Sequence, residues 1–178
     1  MDKKILKVCM LGSFSLEYAG KELVLDRNKN SKTTQLFQLL MLHTEDGGIS
    51  KAAMIEALYG RVEVENKNSS LNNTIFRLRK QLRDIGLPES KYINIQSGMC
   101  CWDENIKVWV DVCEFKRLVE QVRTEKREGD RLQLWLKIWK IYKGEFLPDM
   151  IGENWAAVEN VQCRDDYFQV TTQLCPTS

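Results

Sequence analysis

Along the first hundred positions the spacing of apolar residues changes from strand-like to helical and back. Ile5 to Leu11, Phe14 to Tyr18 and Glu22 to Leu25 are short apolar or alternating runs divided by Gly12-Ser13 and Ala19-Gly20, and they predict three strands of a small antiparallel sheet. From Ser31, a suitable cap, the pattern is helical and carries Leu36, Phe37, Leu39, Leu40 and Leu42 before Gly47-Gly48. A second helix opens at Ile49-Ser50, with Ser50 as cap, turns Ala53, Met54, Ala57 and Leu58 inward and stops at Gly60. A polar loop from Arg61 to Asn68 leads to a third helix, about 69–85, in which Leu71, Ile75, Leu78 and Leu82 recur at intervals of four, three and four. That is one apolar stripe on a helix of period 3.6. Gly86 and Pro88 end it, and Tyr92 to Ile95, Ser97-Gly98 and Cys100 to Trp102 then predict a hairpin.

The second half is helical throughout. Asp111 with Glu114 reads as a variant capping box, and Phe115, Leu118, Val119 and Val122 give one inward stripe. The next stretch, Arg131 to Lys143, is apolar on nearly all sides (Leu132, Leu134, Trp135, Leu136, Ile138, Trp139, Ile141, Tyr142), so it predicts a helix covered from two directions. Gly144 ends it and Pro148 prevents its resumption. Trp155 opens a last helix with Cys163, Tyr167, Val170 and Leu174 at four, three, four.

The outer face of the third helix carries the candidate chemistry. Residues 66–83 hold five cations (Lys67, Arg77, Arg79, Lys80, Arg83) and no acid, although the whole chain has a net charge of only +1. Asn72, Asn73, Phe76, Arg77 and Lys80 point away from the stripe, and such side chains hydrogen-bond base edges, touch thymine methyls or pair with phosphates. A solvated basic face has the same pattern, so the order of the surrounding elements must decide. The sequence of sheet, three helices and hairpin is that of a winged helix-turn-helix, and the chain as a whole predicts an α+β fold.

Composition narrows the classes. The 178 residues, 43% apolar and 29% charged, suffice for one large or two small domains without cross-links. No apolar run reaches the roughly 18 residues of a membrane span and the start carries no cleavable leader pattern, so a cytoplasmic location is expected. Six scattered cysteines without a CxxC spacing predict reduced, mostly buried thiols. His43 is the single histidine and lies at the end of a helical pattern, which suits a structural role and removes most routes to general-base, nucleophilic or zinc chemistry. With no phosphate loop and no metal cluster either, neither an enzyme nor a cofactor is expected.

The segments LGSFSL, SKTTQLFQLLMLH, ISKAAMIEALYG, SLNNTIFRLRKQL and YINIQSG resemble, in order and spacing, the OmpR-type winged-helix DNA-binding domain over residues 5–105. The version they resemble most is that of the Streptomyces antibiotic regulatory protein (SARP-like) family of bacterial transcriptional activators. There the winged helix precedes a bacterial transcriptional activator domain of tetratricopeptide-like repeats, and Val110-Asp111, Phe115, LWLKIWKIYKGEFLPD and Trp155 match its pattern. The resemblance implies domains at 1–105 and 106–178 and a sequence-specific transcription regulator, an activator. Its partners would be double-stranded DNA and, through the helical half, itself or RNA polymerase. A repeat array covers itself with about three units, so a chain ending after little more than one reads as a fragment of a longer regulator or as leaving an apolar edge for a partner.

On that reading helix 69–85 lies in the major groove. Arg77 would grip guanine and Asn73 adenine, with Asn72 beside them; Lys67 and Lys80 would hold phosphates, and Ser69 and Ser70 would offer backbone N–H groups to a phosphate. Phe76 would touch a thymine methyl or a protein, and Arg79, beside the stripe, either faces DNA or pairs with a carboxylate at the core edge. Two positions depart from the family: Met99-Cys100 replaces its Gly-Tyr pair, in a hairpin with no Lys or Arg from Tyr92 to Ile106, and Tyr59 replaces its Trp. The uncharged hairpin keeps an alternative open, a protein-interaction module on the same fold that has lost DNA binding.

Overall fold

The computed structural model describes residues 4–174. It is a mixed α and β structure whose described residues hold two sheets and six α-helices. In chain order these are β1 (Leu6–Cys9), β2 (Ser15–Tyr18), β3 (Lys21–Leu23), α1 (Lys32–Leu42), β4 (Ile49–Ser50), α2 (Lys51–Tyr59), α3 (Lys67–Asp84), β5 (Ile93–Gln96), β6 (Met99–Trp102), β7 (Val108–Val110), α4 (Asp111–Thr124), α5 (Glu128–Ile141) and α6 (Asn154–Leu174). A single 3-10 turn, Pro148–Met150, precedes α6. The strand orders are β3-β2-β1-β7 and β4-β6-β5. Both β4 and β7 are additions to the sequence expectation.

Two compact units divide the chain, and they are not continuous in sequence. One holds the residues up to Val8 together with Ser15–Val108; the other holds Cys9–Phe14 and everything from Trp109 onward. The expected single break after residue 105 did not include this return of 9–14.

In the first unit α1 packs on α2, α3 and β6. Its apolar residues Leu36, Phe37, Leu39, Leu40, Met41 and Leu42 are all buried, and Phe37 meets the Trp102 ring edge-on at 5.7 Å. Ser31 and Ser50 cap α1 and α2 as expected, each oxygen accepting an N–H three residues on. Ala53 corrects the expectation for α2: it is exposed, because it stands in the first turn where its N–H takes the Ser50 cap. His43 ends α1 and its Nδ1 sits 3.1 Å from Asp46, a local structural contact.

In the second unit α4, α5 and α6 pack on one another. The α4 stripe of Phe115, Leu118, Val119 and Val122 is buried as its spacing requires. Its start differs from the expected capping box. Asp111 is the first helical residue and caps nothing in its own helix beyond the Val112 N–H. Its carboxylate instead accepts the Met10 N–H at 2.8 Å and the Leu11 N–H at 2.9 Å, while Glu114 pairs with Arg117. Burial, opposed by those N–H groups, leaves the Asp111 carboxyl above the ordinary carboxylate range. Gly12 and Phe146 continue the same attachment: Gly12 N–H donates to the Glu145 carbonyl, and Leu11 bridges Phe146.

α5 has neighbours on two sides, α4 and α6, as its sequence predicts, but they leave most of its apolar surface open. Of its apolar residues only Ile138 is buried, and Leu132, Leu136 and Trp139 stand 50%, 37% and 56% exposed. In α6 Cys163 and Val170 are buried and Tyr167 stacks on Tyr142 at 4.2 Å, whereas Cys175 and the side chain of Leu174 lie outside the described residues. Among the described cysteines, Cys100, Cys113 and Cys163 are buried and Cys9 and Cys101 half-buried.

Candidate nucleic-acid interface

α3 begins earlier than its spacing suggested, because Asn66 caps it. The Asn66 side chain accepts the Ser69 N–H at 3.1 Å and its carbonyl accepts the Ser70 N–H at 3.1 Å. Neither amide is therefore free for a phosphate, which corrects the role expected of those two backbones. The Ser69 side chain is exposed and Ser70 is half-buried.

The inward face is closed. Leu71, Leu78 and Leu82 are 0% exposed and Ile75 2%. Side-chain clamps from three directions add to that apolar contact. From α2, the Tyr59 hydroxyl bonds the Ser70 carbonyl at 3.3 Å and the Thr74 hydroxyl. Toward α1, Gln81 donates to Asp26, which also accepts from Ser31; burial raises the Asp26 carboxyl, but these bonds and the Asn28 and Arg27 N–H groups carry it below its ordinary range. Toward the hairpin, Arg79 Nε donates to the Lys91 carbonyl at 3.0 Å and Nη2 to the Ile93 carbonyl at 2.6 Å. The carboxylate partner considered for Arg79 is thus replaced by two backbone carbonyls.

The outward face is open. Asn72, Asn73, Phe76, Arg77 and Lys80 are all exposed, Phe76 to 71%, while Lys67 in the first turn is half-buried. At 100° per residue the exposed five fall within one arc opposite the leucine stripe. Among the described residues Asn72, Asn73, Arg77 and Lys80 have no side-chain hydrogen bond or ion pair, so their donors are not committed within the chain. The sequence points to Tyr59 as an aromatic anchor but not to its hydroxyl bonds, and it does not show the Asn66 cap or the carbonyl partners of Arg79; of these only Asn66, a capping residue type three positions before Ser69, carries a readable signal.

In the same unit, tied to α3 through Arg79, stands the β5–β6 hairpin. Its two-residue turn has Ser97 at φ 51° and Gly98 at φ 77°, the positive values a tight hairpin turn needs, and the Gly98 carbonyl accepts the Lys51 N–H at 2.8 Å. Ile95 is 41% exposed and the strands carry no cation. At the hairpin base Asp103 accepts from the Ser90 hydroxyl at 2.5 Å and the Asn105 N–H, which together hold its carboxyl below the usual range.

Among the described residues no cluster of three or more His, Cys, Asp or Glu is arranged to hold a metal, and no helix is long and apolar enough to cross a membrane. A scan against protein-family models finds no match, and a sequence search of curated proteins finds none either. Among solved structures the chain is similar to Mycobacterium tuberculosis EmbR in complex with a low-affinity phosphopeptide, at 14% identity and a TM-score of 0.67. The match covers 96% of this chain and 44% of that one, so the chain spans less than half the length of EmbR. At this identity the likeness is one of fold, and it extends across both units.

Proposed function

We propose that the first unit is a winged helix that binds double-stranded DNA through α3, and that the protein is a sequence-specific transcription regulator of the bacterial SARP-like kind. One observation carries the reading: Asn72, Asn73, Phe76, Arg77 and Lys80 stand exposed together, the four polar ones without partners among the described residues, on a helix whose opposite face is buried. In the major groove Arg77 reads guanine and Asn73 adenine with Asn72 beside it, Phe76 meets a thymine methyl, and Lys80 and Lys67 hold phosphates with Ser69 and Ser70 near the backbone. The motif resemblance and the fold likeness support this placement. The second unit serves as a tetratricopeptide-like activator segment that meets a second copy or RNA polymerase, and the protein works in the cytoplasm as an activator without a cofactor.

Selection of bound duplexes from a random pool, followed by titration across salt, tests this. A recovered motif whose affinity falls steeply with salt is the expected result. No enrichment, with a protein partner engaging the exposed Ile95 hairpin instead, would establish the second reading of a protein-interaction module, which the hairpin's lack of cations favours.

A further inference from the structure

Arg79 stands at the rim of the open arc of α3, one heptad from Asn72, and its guanidinium is spent on backbone. Nε and Nη2 meet the carbonyls of Lys91 and Ile93, two residues apart, at 3.0 and 2.6 Å. A planar fork spans two such acceptors at once, which a lysine ammonium on its flexible stem does not do in a fixed geometry. The segment it holds is anchored further by Tyr92, fully buried, whose hydroxyl donates to the Pro88 carbonyl at 2.7 Å. Beyond it β5 is an edge strand, paired on one side only with β6. The hairpin has no Lys or Arg of its own from Tyr92 to Ile106 with which to orient itself on a phosphate backbone, so its direction relative to α3 has to be set by the protein.

We propose that Arg79 is a positioning residue that locks the β5–β6 hairpin to α3, so that helix and hairpin meet a duplex as one surface. The duplex in this statement rests on the function proposed above; the lock itself does not. Arg79 then differs from its neighbours Arg77 and Lys80 in kind: its charge is directed at carbonyls that DNA does not contact.

The test compares wild type, Arg79→Ala and Arg79→Lys by amide hydrogen exchange of residues 92–102 and by affinity across salt for the duplex recovered from the random pool. Expected are native circular dichroism in all three and exchange in the hairpin roughly tenfold faster in both variants. Affinity should drop roughly tenfold with an unchanged salt slope, lysine failing to rescue. If Arg79→Ala does not fold, Arg79→Gln, which retains one carbonyl bond, takes its place beside Arg79→Lys. Unchanged hairpin exchange overturns the lock. Faster exchange with full affinity reduces Arg79 to fold maintenance, and a salt slope lowered by about one in Arg79→Ala but restored in Arg79→Lys makes it a phosphate ligand; either result overturns the positioning role. Should the wild type retain no duplex, the DNA reading fails and the positioning role with it, while the exchange result still decides whether the lock exists.

Discussion

α3 and α5 are both rich in leucine, and they end in opposite states. In α3 every apolar residue but Phe76 keeps to one stripe, and each of those four, Leu71, Ile75, Leu78 and Leu82, is 2% exposed or less. In α5 seven apolar residues crowd the stretch from Leu132 to Ile141, yet only Ile138 is buried, and the buried atoms Arg131 Nε and Trp135 Nε1 have no hydrogen-bond partner among the described residues. Apolar content therefore did not decide burial; spacing did. A helix with one stripe tells its neighbours which face to cover, whereas a helix that is apolar all round specifies no face and is covered only as far as partners reach. The same contrast separates the two for function, since a defined inner face leaves a defined outer one.

The largest effect that sharpens this comparison is in the two cores. Leu78→Ala should cost about 2–5 kcal/mol in chemical denaturation, while Leu136→Ala, already 37% exposed, should cost under about 1 kcal/mol. Equal losses would mean that α5 is buried after all. Next comes Asp111→Ala, which strands the Met10 and Leu11 N–H groups and should cost the second unit about 1–3 kcal/mol by the same measurement.

On the open face of α3 the expected losses concern binding and not stability. Arg77→Ala should relax base preference at one position by about 1–3 kcal/mol, and Lys80→Ala should weaken all duplexes alike and flatten the salt slope by about one. Unchanged binding in both variants would remove these residues from the interface.

The smallest effects lie in pH dependence, and their signs differ between the units. Asp103 has a lowered folded pKa, so its contribution is present above the unfolded value and lost as pH falls through the folded one. Asp111 has a raised folded pKa, so its contribution is present below the unfolded value and lost as pH rises through the folded one. Denaturation of Asp103→Asn and Asp111→Asn from about pH 3 to about pH 6 should therefore show the wild type gaining on the first variant and losing to the second as pH rises. Parallel curves would contradict both assignments.

What was legible follows the range of the interaction. The caps at Ser31 and Ser50, the stripes of α1, α3 and α4 and the Ser97-Gly98 turn are local, and the sequence displays them. Strands β4 and β7 were missed because two or three residues carry no alternation to read. Asp111 was misassigned because its partners stand 100 and 101 residues away, and a D-x-x-E spacing looks the same whether or not the carboxylate turns inward. The sequence leaves Arg79 ambiguous, since a carbonyl acceptor is available at every residue and has no signature. The candidate face itself was legible because exposure is the complement of a strict stripe, while the use of the Ser69 and Ser70 amides was not, because the helix starts at Lys67 and not at Ser69.

The central claim, that the outer face of α3 meets DNA, is tested most directly by mapping amide chemical-shift changes while the recovered duplex is titrated into the isotopically labelled chain. The account predicts changes centred on Asn72, Asn73, Phe76, Arg77 and Lys80, extending to the hairpin turn and sparing Leu132, Leu136 and Trp139 of α5. Changes confined to α5 and α6, with α3 unmoved at saturating duplex, would contradict it.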